Sequence, residues 1–212
     1  MAEEPTVRAV QKALEGAKKR NFVETVELAI NLKDIDLTIP KNRIQEDIVL
    51  PAGRGKEVKV CVIGGGELAL KAKDVADLVI ASEEIGSIAG DKKQAKRIAN
   101  DIDYFIAEAP LMAVIGKNLG TILGPRGKMP KPIAPGADPE AMIVQLRKSV
   151  TVRTRDKKTF HAPVGTVDMS AEDIAENIDV VLGRVESHLE KGKFNIASAY
   201  VKTSMGPAEK VM

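Results

Sequence analysis

Few residues in this 212-residue chain are of types and spacings that could do chemistry, so each can be weighed singly. Gly64-Gly65-Gly66-Glu67-Leu68-Ala69 follows a β-branched run and precedes helical sequence. Gly64, Gly66 and Ala69 therefore fit a relaxed G-x-G-x-x-A dinucleotide fingerprint, and Glu83 and Glu84 lie about 20 residues on, where that motif places a ribose-binding acid. Three consecutive glycines serve a hinge equally well. Gly127-Lys128 is not a P-loop, because Ile122 and Met129 stand where that motif needs Gly and Ser or Thr. His161 and His188 are the only histidines, and neither belongs to a Cys/His cluster with metal-ligand spacing. Cys61, within Lys59-Val60-Cys61-Val62-Ile63, reads as a small buried hydrophobe, and a lone cysteine excludes an intramolecular disulfide and fits a reducing cytoplasm. Nothing in this set demands catalysis, a metal or a cofactor.

Charge clustering is more informative. The net charge of +2 is too small to mark a nucleic-acid binder, so local clusters carry that signal. Residues 116–132 hold four glycines, three prolines and the four cations Lys117, Arg126, Lys128 and Lys131, without a carboxylate. The acid-free zone runs from Ala109 to Ala137. Glycine opens the backbone and proline fixes it, so the stretch is expected to be a shaped loop whose exposed amides and cations suit a phosphate-bearing partner. Other basic clusters are Lys18-Lys19-Arg20, Arg54 with Lys56, and Arg147 to Lys158. Cations at several separate places fit an extended polyanion. Four Phe, two Tyr and no Trp are too few for base-stacking platforms, whereas folded RNA is read through shape, 2′-hydroxyls and phosphates.

The elements that must position these residues can be read from periodicity. Thr6–Arg20 has a helical apolar stripe closed by Lys18, Lys19 and Arg20. Phe22–Leu32 alternates as a strand with Thr25 and Glu27 on its polar face. Gln45–Leu50 and Glu57–Ile63 read as strands. From Gly64 the chain alternates: helix 67–76, strand 78–81, helix 92–100, strand 104–107, helix 110–119, then the glycine-rich loop and helix 139–148. That rhythm implies a mainly parallel sheet with covering helices. Strands follow at 151–155 and 158–167, then a long helix 169–189 with Ser170 as N-cap, and a strand 195–203. Ser204-Met205-Gly206-Pro207 is expected to end the ordered sequence, with the last residues mobile.

The order of residues in Gly116-Lys117-Asn118-Leu119-Gly120-Thr121-Ile122-Leu123-Gly124-Pro125-Arg126-Gly127-Lys128-Met129-Pro130-Lys131-Pro132 closely resembles the signature of the ribosomal protein L-one family, which builds the mobile side stalk of the large ribosomal subunit. The similarity extends over essentially the whole chain, and the Met205-Gly206-Pro207 turn is its other specific part. The resemblance implies an α/β and α+β protein of two domains: a split α+β domain from residues 1–65 and 157–212 that carries the main rRNA contact, and an inserted Rossmann-like α/β domain, 66–156. It further implies RNA contacts at Phe22, Thr25 and Glu27 of a Phe-x-x-Thr-x-Glu strand, and at Ser204, Met205, Gly206 and Pro207. Further contacts are expected at Asp156, Lys157, Lys158, His161, Ser198 and Thr203, with Arg20 or Lys19 supplying the charge that Asn21 lacks. Lys117, Arg126, Lys128 and Lys131 are expected to form a secondary RNA or tRNA contact. Glu27 would accept a 2′-hydroxyl proton.

The expected partners are large-subunit rRNA, exit-site tRNA, the large subunit itself and the protein's own mRNA, which the family commonly binds to repress translation. The free protein is expected to be monomeric; the lack of a signal-peptide core and of any bilayer-spanning run points to a cytoplasmic protein, and Lys-rich loops with the missing bacterial-type N-terminal extension look archaeal. Two other readings stay open: a nucleotide-dependent α/β enzyme using Gly64–Ala69, and a non-ribosomal protein-interaction module.

Overall fold

The computed structural model of the chain describes residues 4–212 and falls into two compact units, one formed by the chain up to Lys56 together with Lys148–Met212, the other by Glu57–Arg147. The first three residues of the expected terminal domain lie outside the described residues.

In the first unit, α1 (Glu4–Glu15) and α7 (Ala171–His188) cover one face of an antiparallel sheet of β1 (Thr25–Leu32), β8 (Thr159–Thr166), β9 (Ile196–Thr203) and β10 (Ala208–Lys210), in the order β10-β9-β1-β8. Alternation in β1 sends Val26, Leu28, Ile30 and Leu32 into a core shared with Val10 and Ala13 of α1 and Ile174, Ile178, Val181 and Val185 of α7. Ser170 caps α7, its Oγ accepting from Asp173 N at 3.1 Å, as its place before an apolar-periodic run predicts. A separate ribbon pairs β2 (Gln45–Val49) with β7 (Ser149–Arg153).

The second unit has a four-stranded parallel sheet in the order β4-β3-β5-β6, made of β3 (Val60–Gly64), β4 (Leu78–Ala81), β5 (Tyr104–Glu108) and β6 (Lys131–Ile133). Its helices are α2 (Gly66–Ala72), α3 (Glu84–Gly90), α4 (Lys92–Asp101), α5 (Met112–Arg126) and α6 (Glu140–Arg147). No helix among the described residues is long and apolar enough to cross a membrane.

Four expectations need correction. The borders fall at 56/57 and 147/148 rather than 65/66 and 156/157. β3 is the strand against which both β4 and β5 pair, and β7 is the partner of β2, so each belongs with its sheet. Residues 120–126 are helical rather than loop: α5 continues past Leu119 through them, with Pro125 in its last turn, and stops at Gly127, whose φ is 71°. A proline there lacks the N–H that would bond to Thr121 O, and its ring crowds that carbonyl; the helix stops two residues later. α1 ends at Glu15, so Lys18, Lys19 and Arg20 lie past the helix rather than closing it. Finally, order continues beyond Pro207: β10 pairs with β9, and Val211 N and Met212 N both donate to Ala199 O.

Candidate nucleic-acid interface

The face of β1 turned away from its helices carries Thr25, Glu27, Ala29 and Asn31, all half-buried. Register decides their neighbours. Glu27 lies opposite Lys202 of β9 and Pro163 of β8, Ala29 opposite Tyr200 and His161, and Asn31 opposite Ser198 and Thr159. Across β9, Lys210 of β10 stands opposite Tyr200. Directly opposed residues share a face, so one sheet surface collects hydroxyls, amides, cations and a single carboxylate. Two side-chain bonds fix its middle: Asn31 Nδ2 donates to Ser198 Oγ at 2.9 Å, and Thr159 Oγ1 donates to Asn31 Oδ1 at 2.7 Å.

At one end of this surface the chain turns at Ser204–Pro207. Ser204 N donates to Thr25 O at 2.9 Å, which extends the β1–β9 ladder into the turn. Ser204 Oγ lies 2.7 Å from Glu27 Oε1 and 3.2 Å from Thr25 O; its one proton goes to the better acceptor, the carboxylate. Glu27 Oε2 faces His161 Nδ1 at 3.6 Å. Lys202 Nζ donates to Ser204 O at 3.0 Å. Gly206 N donates to Thr203 O at 3.1 Å, and a Cβ at 206 would stand 2.3 Å from Thr203 Oγ1, so only glycine closes the turn. The Pro207 ring seats on the end of α1, where a Cβ on Gly16 would lie 2.8 Å from Pro207 Cγ. This anchoring leaves the Met205 side chain at the apex, 63 % exposed.

The chemistry follows from these bonds. With its proton committed to Glu27, the Ser204 hydroxyl offers only lone pairs outward, and so does Glu27. The pair is an acceptor site, matched to a hydroxyl or amino donor and mismatched to phosphate. Lys202 supplies charge beside it, Lys210 adds charge two strands away on β10, and Met205 supplies a pliant apolar surface.

Not every expected residue is here. Thr203 turns to the other side of β9 and is fully buried, so it contributes packing to the turn and no outward contact. Arg20 Nε is 2.5 Å from the carboxylate of Glu24, which is only 4 % exposed; its charge is spent on that pair. Phe22, 60 % exposed, borders a groove of about 490 Å³ together with Leu14, Lys18, Lys19 and Val23. Asp156, Lys157 and Lys158 lie at the far end of β1, where Leu32 N donates to Lys158 O; seven strand steps separate that end from Thr25, about 23 Å. Asp156 pairs with Arg43 at 3.5 Å. The sequence reading missed Asn31, Thr159, Tyr200, Lys202 and Lys210. The alternation of β9, already legible from Ile196 to Val201, places Tyr200 and Lys202 on the same side as Ser198.

In the second unit, Lys117 is exposed on α5. Arg126 donates from Nε to Asn100 Oδ1 at 3.1 Å and from Nη1 to Ile122 O at 3.0 Å. Lys128 is not a free cation: Nζ donates to Ala99 O at 3.0 Å and Ile102 O at 2.6 Å, capping the end of α4, and burial holds its pKa below the ordinary lysine value. Lys131 Nζ sits 5.6 Å from the centroid of the Tyr104 ring.

The glycine run after β3 is occupied by the protein itself. Gly65 N donates to Glu108 Oε1 at 3.3 Å, and a Cβ on Gly64 would stand 2.6 Å from Leu68 Cδ2. A carboxylate thus takes the amide that a dinucleotide pyrophosphate would use. Of the two acids placed for a ribose, Glu83 and Glu84, the second accepts from Ala81 N at the start of α3. Among the described residues no group of three or more His, Cys, Asp or Glu could hold a metal ion. Burial pushes the Cys61 thiol up to about 12, which keeps it protonated.

The profile of the Ribosomal protein L1p/L10e family matches residues 12–207. The chain is 54% identical over 213 residues to the large ribosomal subunit protein uL1 of Methanocella arvoryzae, with 100% of both chains covered. It is 52% identical to the uL1 protein of Picrophilus torridus, covering 95% of this chain and 94% of the relative. It is 51% identical to that of Haloarcula marismortui, with 100% of both covered.

Proposed function

The chain belongs to the Ribosomal protein L1p/L10e family, and on that footing we propose that it is a constituent of the large ribosomal subunit that binds large-subunit rRNA through the open face of its antiparallel sheet. The observation that carries the proposal is the Glu27–Ser204 acceptor pair, held at 2.7 Å beside Lys202 and the exposed Met205. Ribose 2′-hydroxyls are donors that DNA lacks, and a site built of acceptors on a basic surface discriminates on that difference. The named contacts are Thr25, Glu27, His161, Ser198, Ser204, Met205, Gly206 and Pro207, with Phe22 bordering the groove at the end of α1 and Asp156, Lys157 and Lys158 extending the surface to the far end of β1.

We further propose the finer roles that family membership suggests. The bound protein forms the side stalk of the subunit in the cytoplasm, contacts exit-site tRNA and assists its release. Lys117, Arg126 and Lys131 of the second unit supply part of that contact. The same sheet face binds an rRNA-like fold in the protein's own messenger and represses its translation; a messenger leader without such a fold would remove that role. No reaction is assigned to the chain.

The experiment is a titration of an rRNA stalk fragment against a DNA hairpin of the same sequence. The wild type is expected to prefer RNA by tenfold or more, and Glu27→Gln to narrow that ratio, because an amide NH2 replaces one acceptor. Equal affinity of the wild type for RNA and DNA would contradict the proposal.

A further inference from the structure

Helix α4 bears charge where a helix tolerates it least. Lys92 and Lys93 occupy its first turn, at the positive end of the helix dipole. Lys92 with Lys96, and Lys93 with Arg97, stand four residues apart, the spacing at which like charges repel across a turn. The only carboxylate within α4 is Asp101, its last residue, exposed four residues after Arg97 and not paired with it. Asp91 precedes them, but its Oδ1 accepts from Lys93 N at 2.9 Å and Gln94 N at 3.2 Å as the N-cap, so that oxygen serves the backbone. Among the described residues none of the four cations makes an ion pair.

Their placement is orderly. Ala95 and Ala99 are the buried positions of α4, whereas Lys92, Lys93, Lys96, Arg97 and Asn100 are exposed and fall within an arc of about 140° at 3.6 residues per turn. Asn100 accepts from Arg126 of α5, so a fifth cation continues the stripe, and Lys128 fixes the end of α4 beneath it. The stripe contains no aromatic ring, which removes base stacking as its mode of contact. Charges that oppose the stability of their own helix are accounted for by a partner that neutralises them.

We propose that the exposed face of α4, extended by Arg126, is a nucleic-acid surface separate from the sheet face and built to lie along the phosphates of double-helical RNA. It rests on the RNA-binding reading above for the class of its partner only. Its contacts are to backbone, so it adds affinity and salt dependence without sequence preference.

The test uses the full chain and an RNA duplex of about 20 base pairs, unrelated in sequence to any rRNA, across a salt series. The triple variant Lys93→Gln/Lys96→Gln/Arg97→Gln is compared with Lys41→Gln/Lys191→Gln/Lys193→Gln, which removes equal charge from the other unit. The stripe variant is expected to lose tenfold or more in duplex affinity at low salt and to shallow the log–log salt slope by about 2 to 3. The control triple is expected to stay within twofold of wild type. Relief of repulsion is expected to leave the melting temperature of the stripe variant equal to or above that of wild type. Equal losses from both triples, a lowered melting temperature, or stripe-dependent binding of polyglutamate in place of the duplex would each overturn the proposal. The RNA-over-DNA preference on the stalk fragment, read on the same variants, keeps the two readings apart: it rests on the sheet face and is expected to be unchanged in the stripe variant, so its absence in wild type faults the sheet-face reading alone, and an unchanged duplex affinity in the stripe variant faults this one alone.

Discussion

Ser204 Oγ stands 2.7 Å from Glu27 Oε1, joining β1 to the turn that follows β9 across 177 positions of sequence. This contact ties the Ser204–Pro207 turn to β1 and sets the direction in which both groups offer lone pairs. Ser204→Ala is expected to weaken RNA binding by about 1–2 kcal/mol with an unchanged salt slope, because the lost group is a hydrogen-bonding hydroxyl and not a cation. Equilibrium binding at three or more salt concentrations checks both halves. A shallower slope in the variant would show that the pair acts through charge.

The turn itself depends on a close approach. A Cβ on Gly206 would lie 2.3 Å from Thr203 Oγ1, so Gly206→Ala is expected to cost about 1–3 kcal/mol of stability and to displace Met205. Thr203→Ala in the same chain removes the clashing hydroxyl, which is buried and has no hydrogen-bond partner, and is expected to restore part of the loss. Chemical denaturation of the two single variants and the double variant measures the coupling. Simple additivity would place the strain elsewhere.

Lys128 separates appearance in sequence from role in structure. Its place in a basic, acid-free stretch made it a phosphate ligand; its ammonium instead donates to Ala99 O and Ile102 O. Lys128→Met is therefore expected to destabilise the second unit by about 1 kcal/mol while leaving the salt slope of RNA binding unchanged. A slope shallower by about one counterion, with stability intact, would return Lys128 to the interface.

What could be read in advance follows the strength of local periodicity. β1, β8, β9 and α7 alternate or repeat cleanly, so the polar face bearing Thr25, Glu27 and Ser198 was visible before any coordinates. The stretch 120–126 was misread because glycine and proline outweighed pattern. Ile115, Leu119, Ile122 and Leu123 are the buried positions of α5, and that helical spacing was present in the sequence beneath them. The unit borders were misplaced because a strand buried on both faces, such as β3, shows no alternation that would assign it to one sheet. β10 was missed because a three-residue edge strand carries almost no pattern; its pairing with β9 is a tertiary fact. The burial of Thr203 was deducible, since it lies an even number of residues from the core positions Ala199 and Val201.

Cys61 gives a check on the second unit that needs no RNA. Its thiol is fully buried in β3 and held up to about 12, far from the thiolate that alkylating reagents require. A folded-state pKa above the ordinary thiol value means that the protonated form persists through pH 7 to 9. Iodoacetamide is expected to leave Cys61 unlabelled there until denaturant unfolds the unit. Rapid labelling of the native protein would contradict the packing described for β3.

The most direct measurement is the binding of a large-subunit rRNA stalk fragment by wild type and Met205→Asp across a salt series. Met205 is the exposed apex of a turn fixed by Ser204, Gly206 and Pro207, so the substitution sets a carboxylate against the RNA without disturbing buried structure. Tight wild-type binding that falls by about 1–3 kcal/mol at every salt concentration is the predicted result and places recognition on the sheet face. Binding that is unchanged by the substitution, or lost only at low salt, would contradict it and leave a surface that attracts RNA by charge alone.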